Sequence, residues 1–262
     1  MSNNAIYLEM VLTLGNKFQY DQLHAAAVER LSVSLFEQLR NIHHLGESEL
    51  TLLRHAALLH DIGIFISKKR HHKHSAYLVL HDRGLDGYPQ KERTLLALLV
   101  RNHRKNVKIE ASNLSRFSKP ILKKLIALLR IADALDYFHR GQTIVKDVRM
   151  QGENCIFTVE GVNLNTLGEQ LGKKSAYFRE VFGLNPVFAS ADAPHGEPLN
   201  FFKELDIEDQ PTEYDGDSIE LHDETTAGTE QGTEDDDKEN LEHHFQPAEE
   251  QEILTEKPVA KV

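Results

Sequence analysis

Near residue 190 the chain changes character, and that break decides how much of it can fold. Residues 191–262 carry 23 acidic and 4 basic side chains, a net of −19, whereas residues 1–190 carry 18 acidic and 26 basic, a net of +8. The overall −11 therefore describes neither part. The tail includes "TEYDGDSIELHDETTAGTEQGTEDDDKENLEHHFQPAEEQ", poor in aromatics and without hydrophobic periodicity. Such a segment cannot bury enough apolar surface to offset the entropy of ordering it, so residues 191–262 are expected to be disordered. The folding problem is confined to a basic body of about 190 residues, enough for a full hydrophobic core.

Within the body, apolar residues recur at spacings of three and four. Leu23, Ala27, Val28, Leu31, Leu35, Phe36 and Leu39 predict an amphipathic helix from Tyr20 to about Ile42, with Asp21 near its positive end. A shorter helix is expected before it, from about Ile6 to Leu14. "ESELTLLRHAALLHDIG" predicts another, with Gly63 as its breaker. Further helices are expected from about His72 to Asp82, over "QKERTLLALLVRNH", and over "SKPILKKLIALLRIADALDYFH", where Pro120 sits in the first turn. Past Gly141 the pattern changes. "TIVKDVRMQ" and "NCIFTVEG" are short, rich in β-branched residues and separated by "GEN", as in a hairpin, and "TLGEQLGKKSAYFREVFG" follows as a closing helix. The expected organisation is mainly α: a helical domain over residues 1–140, a small α+β appendix over 141–190 and the acidic tail over 191–262.

The single cysteine, Cys155, excludes a disulfide framework and suits a reducing, cytoplasmic setting. The first apolar stretch is interrupted by Glu9 and ends at Gly15, so neither a signal peptide nor a membrane span is expected, and no membrane partner.

The chemistry is expected where polar groups interrupt apolar helices. Asp133 stands inside "LLRIADAL", where a carboxylate is costly unless paired, hydrogen-bonded or bound to a metal. His60 and Asp61 end the second long helix, and His24 lies on the first beside Leu23. Imidazole and carboxylate together form the ligand set for Zn, Mn, Fe, Ni or Co, with carboxylate and water favouring Mg and Mn. Each residue alone is weak evidence; the order His, then His-Asp, then Asp, each beside an apolar run, is what carries the signal.

That order resembles the HD superfamily of metal-dependent phosphohydrolases, whose pattern is H…HD…D on a helical scaffold. The stretches "LLRHAALLHDIGIFIS", "HHKHSAYLVL", "LLALLVRNHRK" and "LLRIADALD", followed by "DVRM" and "AYFREVFG", narrow the resemblance. They are similar to the C-terminal HD region of the exopolyphosphatase/guanosine-pentaphosphate phosphatase (Ppx/GppA) family, over roughly Ile6 to Val187. In that family an N-terminal actin-like ATPase-fold region accompanies this one, and this sequence has no room for it. The resemblance implies an HD-type helical domain with His24, His60, Asp61 and Asp133 as ligands of a first divalent ion. Binuclear members add histidines between the HD pair and the last Asp; the candidates are His72 or His74, and His103. Helix positions i and i+2 point apart by about 200°, so His72 and His74 cannot both serve one ion. His74, just before the apolar "AYLVL", is preferred. With two ions Asp61 would bridge them, and the reaction would centre on His60 and Asp61.

The resemblance implies hydrolysis of a nucleotide, an alarmone or polyphosphate, since a divalent ion can activate water and neutralise phosphoryl oxygens. Cations for such a substrate are expected from Lys69, Arg70 and Lys73 before and within the third long helix, and from Arg104 and Lys105 beside His103. His71, His55 and His139 receive no role, and His139 is expected at the surface. A non-catalytic module binding polyphosphate or nucleotide is the alternative. Nucleic acid is disfavoured, because Phe36, Tyr77 and Phe117 mostly fall within the apolar periodicity rather than forming a stacking platform. A homodimer is left open, with no residue assigned to it.

Overall fold

The spacings of three and four do wind into helices: α1 (Asn3–Lys17), α2 (Gln22–Gln38), the one-turn α3 (Arg40–His43), α4 (Glu47–Leu59), α5 (His71–His81), α6 (Gln90–Arg101) and α7 (Ser118–Leu135). Beyond them run β1 (Ile144–Gln151), β2 (Asn154–Glu160), α8 (Leu164–Phe182) and β3 (Asn185–Ser190). This computed structural model describes residues 3–109, 114–192 and 199–201. Most of the expected acidic tail lies outside the described residues. The protein is mainly helical with one small three-stranded sheet.

The helical part is organised around α7. From Leu125 to Leu135 every residue of α7 is buried, so this stretch of the helix has no solvent face. A helix apolar all round must be wrapped by others, and α2, α4, α6 and α8 all pack against it. Val28, Leu31 and Leu35 of α2, Leu53, Ala56 and Leu59 of α4, and Leu96 and Val100 of α6 join its core. Each fully buried leucine contributes about 1.5–3 kcal/mol relative to exposure. Among the described residues no helix is long and apolar enough to cross a membrane.

Two helix ends differ from expectation, and both matter for the site. The helix expected to continue to His139 stops at Leu135. Asp136 terminates it by turning its side chain onto the next loop, where Oδ1 accepts from Gly141 N at 2.8 Å. The expected breaker Gly63 is not a cap either; α4 closes at His60, and Gly63 lies in a short 3-10 turn that follows. Its function is proximity, because a Cβ there would lie 2.2 Å from the carbonyl oxygen of His71 and 2.3 Å from the amide nitrogen of Ser75.

The appendix contains the expected hairpin, β1 antiparallel to β2, with an irregularity between Val145 and Asp147. It also contains β3, absent from the expectation, which pairs parallel to β2 after the crossover through α8. "NPVFAS" is short, carries a proline and does not alternate, which hides a strand buried against α8. Phe157, Phe178 and Phe188 form its core, with Phe157 stacked on Phe188 at 5.2 Å between centroids. Leu199 bridges antiparallel to Phe188, so the sheet takes a partner from beyond the boundary expected at 190.

One buried pair away from the site sets an acid limit. His55 Nδ1 lies 2.7 Å from the Tyr88 hydroxyl, and burial, with Arg54 adding to it, pushes the imidazole down to about 4. Between about pH 6.5 and 4 the unfolded chain binds a proton here that the folded chain refuses. Stability from neutral His55 is therefore complete above pH 6.5 and is lost as pH falls toward 4, by up to about 3 kcal/mol. Urea melts at pH 7 and pH 4.5 are expected to show His55→Gln narrowing the gap between the two midpoints.

Candidate metal centre

Five helix ends deliver polar side chains to one place. His24 comes from the first turn of α2, His60 and Asp61 follow the last turn of α4, and His71 opens α5. His103 lies just past α6, and Asp133 sits in the last turn of α7. Helix ends suit this task, since the chain can turn a side chain inward there without interrupting a ladder of backbone hydrogen bonds. Local contacts fix each one. Asp21 caps α2, its Oδ1 accepting from His24 N at 3.0 Å. Arg130 of α7 holds the loop carrying His103, donating from Nε to Asn102 O at 2.9 Å and from Nη2 to Lys105 O. Ser75 of α5 accepts from Gly63 N at 2.8 Å, which ties α5 to the turn after Asp61.

The donor atoms form two triangles. In one, His24 Nε2 and His60 Nε2 are 3.2 Å apart, and Asp133 Oδ1 lies 3.7 and 3.9 Å from them. In the other, His71 Nε2 and His103 Nε2 are 3.2 Å apart, with Asp61 Oδ1 at 3.1 and 3.4 Å. The second oxygen of Asp61 is 3.6 Å from His60 Nε2, so this carboxylate offers one oxygen to each triangle.

The protons explain why these triangles suit a cation. His60 Nδ1 faces Ala57 O at 2.8 Å, His103 Nδ1 faces Val100 O at 2.7 Å, and His71 Nδ1 faces Lys68 O at 3.1 Å. His24 Nδ1 faces Asp136 Oδ2 at 2.9 Å. Carbonyl and carboxylate oxygens only accept, so each Nδ1 carries a hydrogen, and in its neutral form each ring presents a bare Nε2. The four inward nitrogens and the carboxylate oxygens are then all lone-pair acceptors facing one another. Asp61 Oδ1 is buried and makes no hydrogen bond, despite two imidazoles within 3.4 Å. A divalent ion would satisfy such a set, and outer oxygens holding the far ring nitrogen are the usual support of metal-binding histidines.

Charge follows the same logic. Burial pushes His60 down and His103 well down, keeping both neutral near pH 7. Burial pushes Asp61 and Asp133 up, but it is outweighed. Lys174, joined by His60 and His103 only where these carry a proton, holds Asp133 well below the usual carboxylate range, and His60, His71 and His103 in that protonated form would do the same for Asp61. Lys174 of α8 donates to Asp133 Oδ2, leaving Oδ1 for the first triangle.

Of the residues expected from the sequence, the structure gathers His24, His60, Asp61, His103 and Asp133. Among the described residues neither His74, preferred from the sequence, nor its alternative His72 joins a cluster of possible ligands, and His71 stands beside Asp61 and His103 instead. The close approach of Gly63 to the start of α5 explains this. It presses the edge carrying His71 and Ser75 against the turn after Asp61, while the Cβ of His74 packs over Gly63 instead. Of the expected phosphate-binding cations, Arg104 reaches the centre, with Nη1 3.3 Å from both ring nitrogens of His71. Lys69, Arg70 and Lys105 are exposed, and Lys73 is half-buried. His139 is exposed, as expected, and it also approaches the site: its ring stacks on His24 at 3.7 Å, and it clusters with His24 and Asp61. Asp136 and Lys174 carried no sequence signal, since each acts across a long chain separation.

Known proteins place this arrangement in a family. The chain is 32% identical over 117 residues to the guanosine-5'-triphosphate,3'-diphosphate pyrophosphatase of Pseudoalteromonas atlantica, covering 44% of this chain and 23% of that protein. It is 34% identical over 99 residues to the protein of the same name from Aeromonas hydrophila subsp. hydrophila, covering 37% of this chain and 20% of that one. It therefore spans no more than about a quarter of the length of these curated relatives. The family model for Ppx/GppA phosphatase domain III matches residues 6–170, which take in every donor of both triangles together with α2, α4 and α6 that pack on α7, and the chain belongs to that family.

Proposed function

We propose that this chain is a metal-dependent phosphohydrolase of the HD type, acting on a phosphate-rich small molecule: a nucleotide, an alarmone or polyphosphate. One observation carries the reading. Four buried imidazoles, each with its Nδ1 hydrogen engaged by an oxygen, turn Nε2 toward two carboxylates. His24, His60 and Asp133 would hold one divalent ion; His71, His103 and Asp61 would hold a second, with Asp61 shared. Such ions supply Lewis acidity toward phosphoryl oxygens and a nucleophilic water at neutral pH. The chain's own residues do the rest. Arg104, against His71, is placed to take a phosphoryl oxygen, and its planar guanidinium suits paired oxygens. Lys69, Arg70, Lys73 and Lys105 would extend the cationic rim along a longer phosphate chain. Lys174 keeps Asp133 ionised and pointed at His24 and His60. The name of the relatives, guanosine-5'-triphosphate,3'-diphosphate pyrophosphatase, supports a nucleotide phosphoanhydride as substrate.

Metal analysis followed by a phosphate-release screen over nucleotides, alarmones and polyphosphate tests this. One to two divalent ions per chain and release from at least one substrate are expected; protein that stays metal-free after supplementation sinks the proposal. Thermal melts give a second measure. A divalent ion at 100 times its Kd is expected to stabilise the fold by about 2.7 kcal/mol, and a chelator to reverse it.

A second reading has its own support. The chain spans about a quarter or less of its relatives' length, so it could serve as a binding module for the same phosphates, with turnover residing elsewhere.

A further inference from the structure

His139 stands outside both triangles yet is held as the ligands are held. One of its ring nitrogens lies within 4.8 Å of donor atoms of both His24 and Asp61, which belong to different triangles. Its Nδ1 is 2.8 Å from Asp21 Oδ2, the same carboxylate–imidazole contact that Asp136 makes with His24. Two aspartates thus each serve both histidines. Asp21 accepts from His24 N through Oδ1 and from His139 through Oδ2; Asp136 holds His24 by its side chain and accepts from His139 N through its carbonyl at 2.8 Å. The backbone bears a cost for this placement, since His139 sits in the left-handed region at φ 56°. A non-glycine residue rarely adopts that conformation, and such outliers gather at functional sites.

Exposure gives the direction. The side chains of His24, His60 and His103 are at most 2% exposed, Asp61 is 19% exposed and His139 is 41% exposed. The centre opens to solvent past Asp61, and His139 stands at that opening. With its Nδ1 hydrogen given to Asp21, the ring offers Nε2 as a lone pair. That atom cannot donate to a phosphate oxygen, but it can bind a cation.

Resting on the metal-centre reading above, we propose that His139, oriented by Asp21, is a further metal donor on the solvent side of the centre, beside His24 and Asp61.

Cobalt(II) titration of chelator-treated full-length chain, followed by visible absorption, tests the proposal. His139→Ala is expected to weaken cobalt binding by about tenfold or more, the low end of what loss of a supporting partner costs, and to change the visible bands. Asp21→Asn keeps a capping side chain for α2 but removes the carboxylate from His139; a smaller weakening with the same band change is expected. Far-ultraviolet circular dichroism matching wild type confirms that the exposed substitution leaves the helices folded, and His139→Gln serves as a second variant if the alanine form does not fold. Wild-type affinity and bands in the folded His139 variant would overturn the proposal while leaving the centre intact. Failure of the wild-type chain to take up cobalt would instead overturn the metal-centre reading, and this proposal with it.

Discussion

A His60→Ala, Asp61→Ala variant is expected to lose metal from both triangles and phosphate release together. Asp61 is the group with an oxygen in each triangle, and His60 Nε2 faces both Asp61 and Asp133. Loss of an outer partner of a metal ligand costs roughly 10–100-fold in metal affinity or activity, so losing the shared carboxylate and an inner imidazole should exceed that range. The cationic rim is untouched, and Arg104 remains beside His71. Equilibrium binding of the nucleotides, alarmones and polyphosphate of the same panel to wild type and variant separates the two functional readings. Lost turnover with retained binding supports the hydrolase. Equal binding by wild type and variant, with turnover in neither, would sink the hydrolase and support the binding module.

The sequence displayed this site unevenly, for physical reasons. Asp133 was legible because a carboxylate in a run of apolar helix residues demands a partner, and α7 is indeed buried on all sides there. His60 and Asp61 were legible because they end an apolar helix, and His24 because it falls on an apolar face. Their convergence depends on helix packing, which periodicity anticipates. His71 was hidden among four basic or imidazole neighbours, with no apolar flank to mark it. The choice between His71, His72 and His74 turns on how close α5 lies to the turn after Asp61. That closeness is a backbone contact, and its one trace in the sequence is a glycine that reads equally well as a helix breaker. His139 was hidden by continuity of pattern: "DALDYFH" extends the apolar spacing, yet Asp136 spends its side chain on His24 and Gly141 and ends the helix three residues earlier. Lys174 meets Asp133 across 41 residues, which no local pattern encodes.

Gly63→Ala is expected to be the most damaging single methyl group in the protein. An alanine Cβ would sit 2.2 Å from His71 O, 2.3 Å from Ser75 N and 2.8 Å from the His74 Cβ. Two of these atoms belong to the backbone of α5, so no side-chain rotation relieves the clash; the helix itself must retreat. Overpacking of this kind costs typically 1–3 kcal/mol, and a rigid helix backbone puts this case at about 3 kcal/mol or above. The retreat also breaks the Gly63 N to Ser75 Oγ hydrogen bond and carries His71 away from Asp61 and His103. The first triangle does not include α5 and keeps His24, His60 and Asp133. Calorimetry and metal analysis should therefore show a lowered melting temperature together with a fall in bound metal from two ions to one. Ser75→Ala provides the control: it removes the hydrogen bond without the clash, at about 1–3 kcal/mol for a buried amide left unpaired. A Gly63→Ala protein that melts no lower than Ser75→Ala and keeps both ions would mean that α5 can move without cost. The glycine would then be a simple helix stop, and the position of His71 would owe nothing to it.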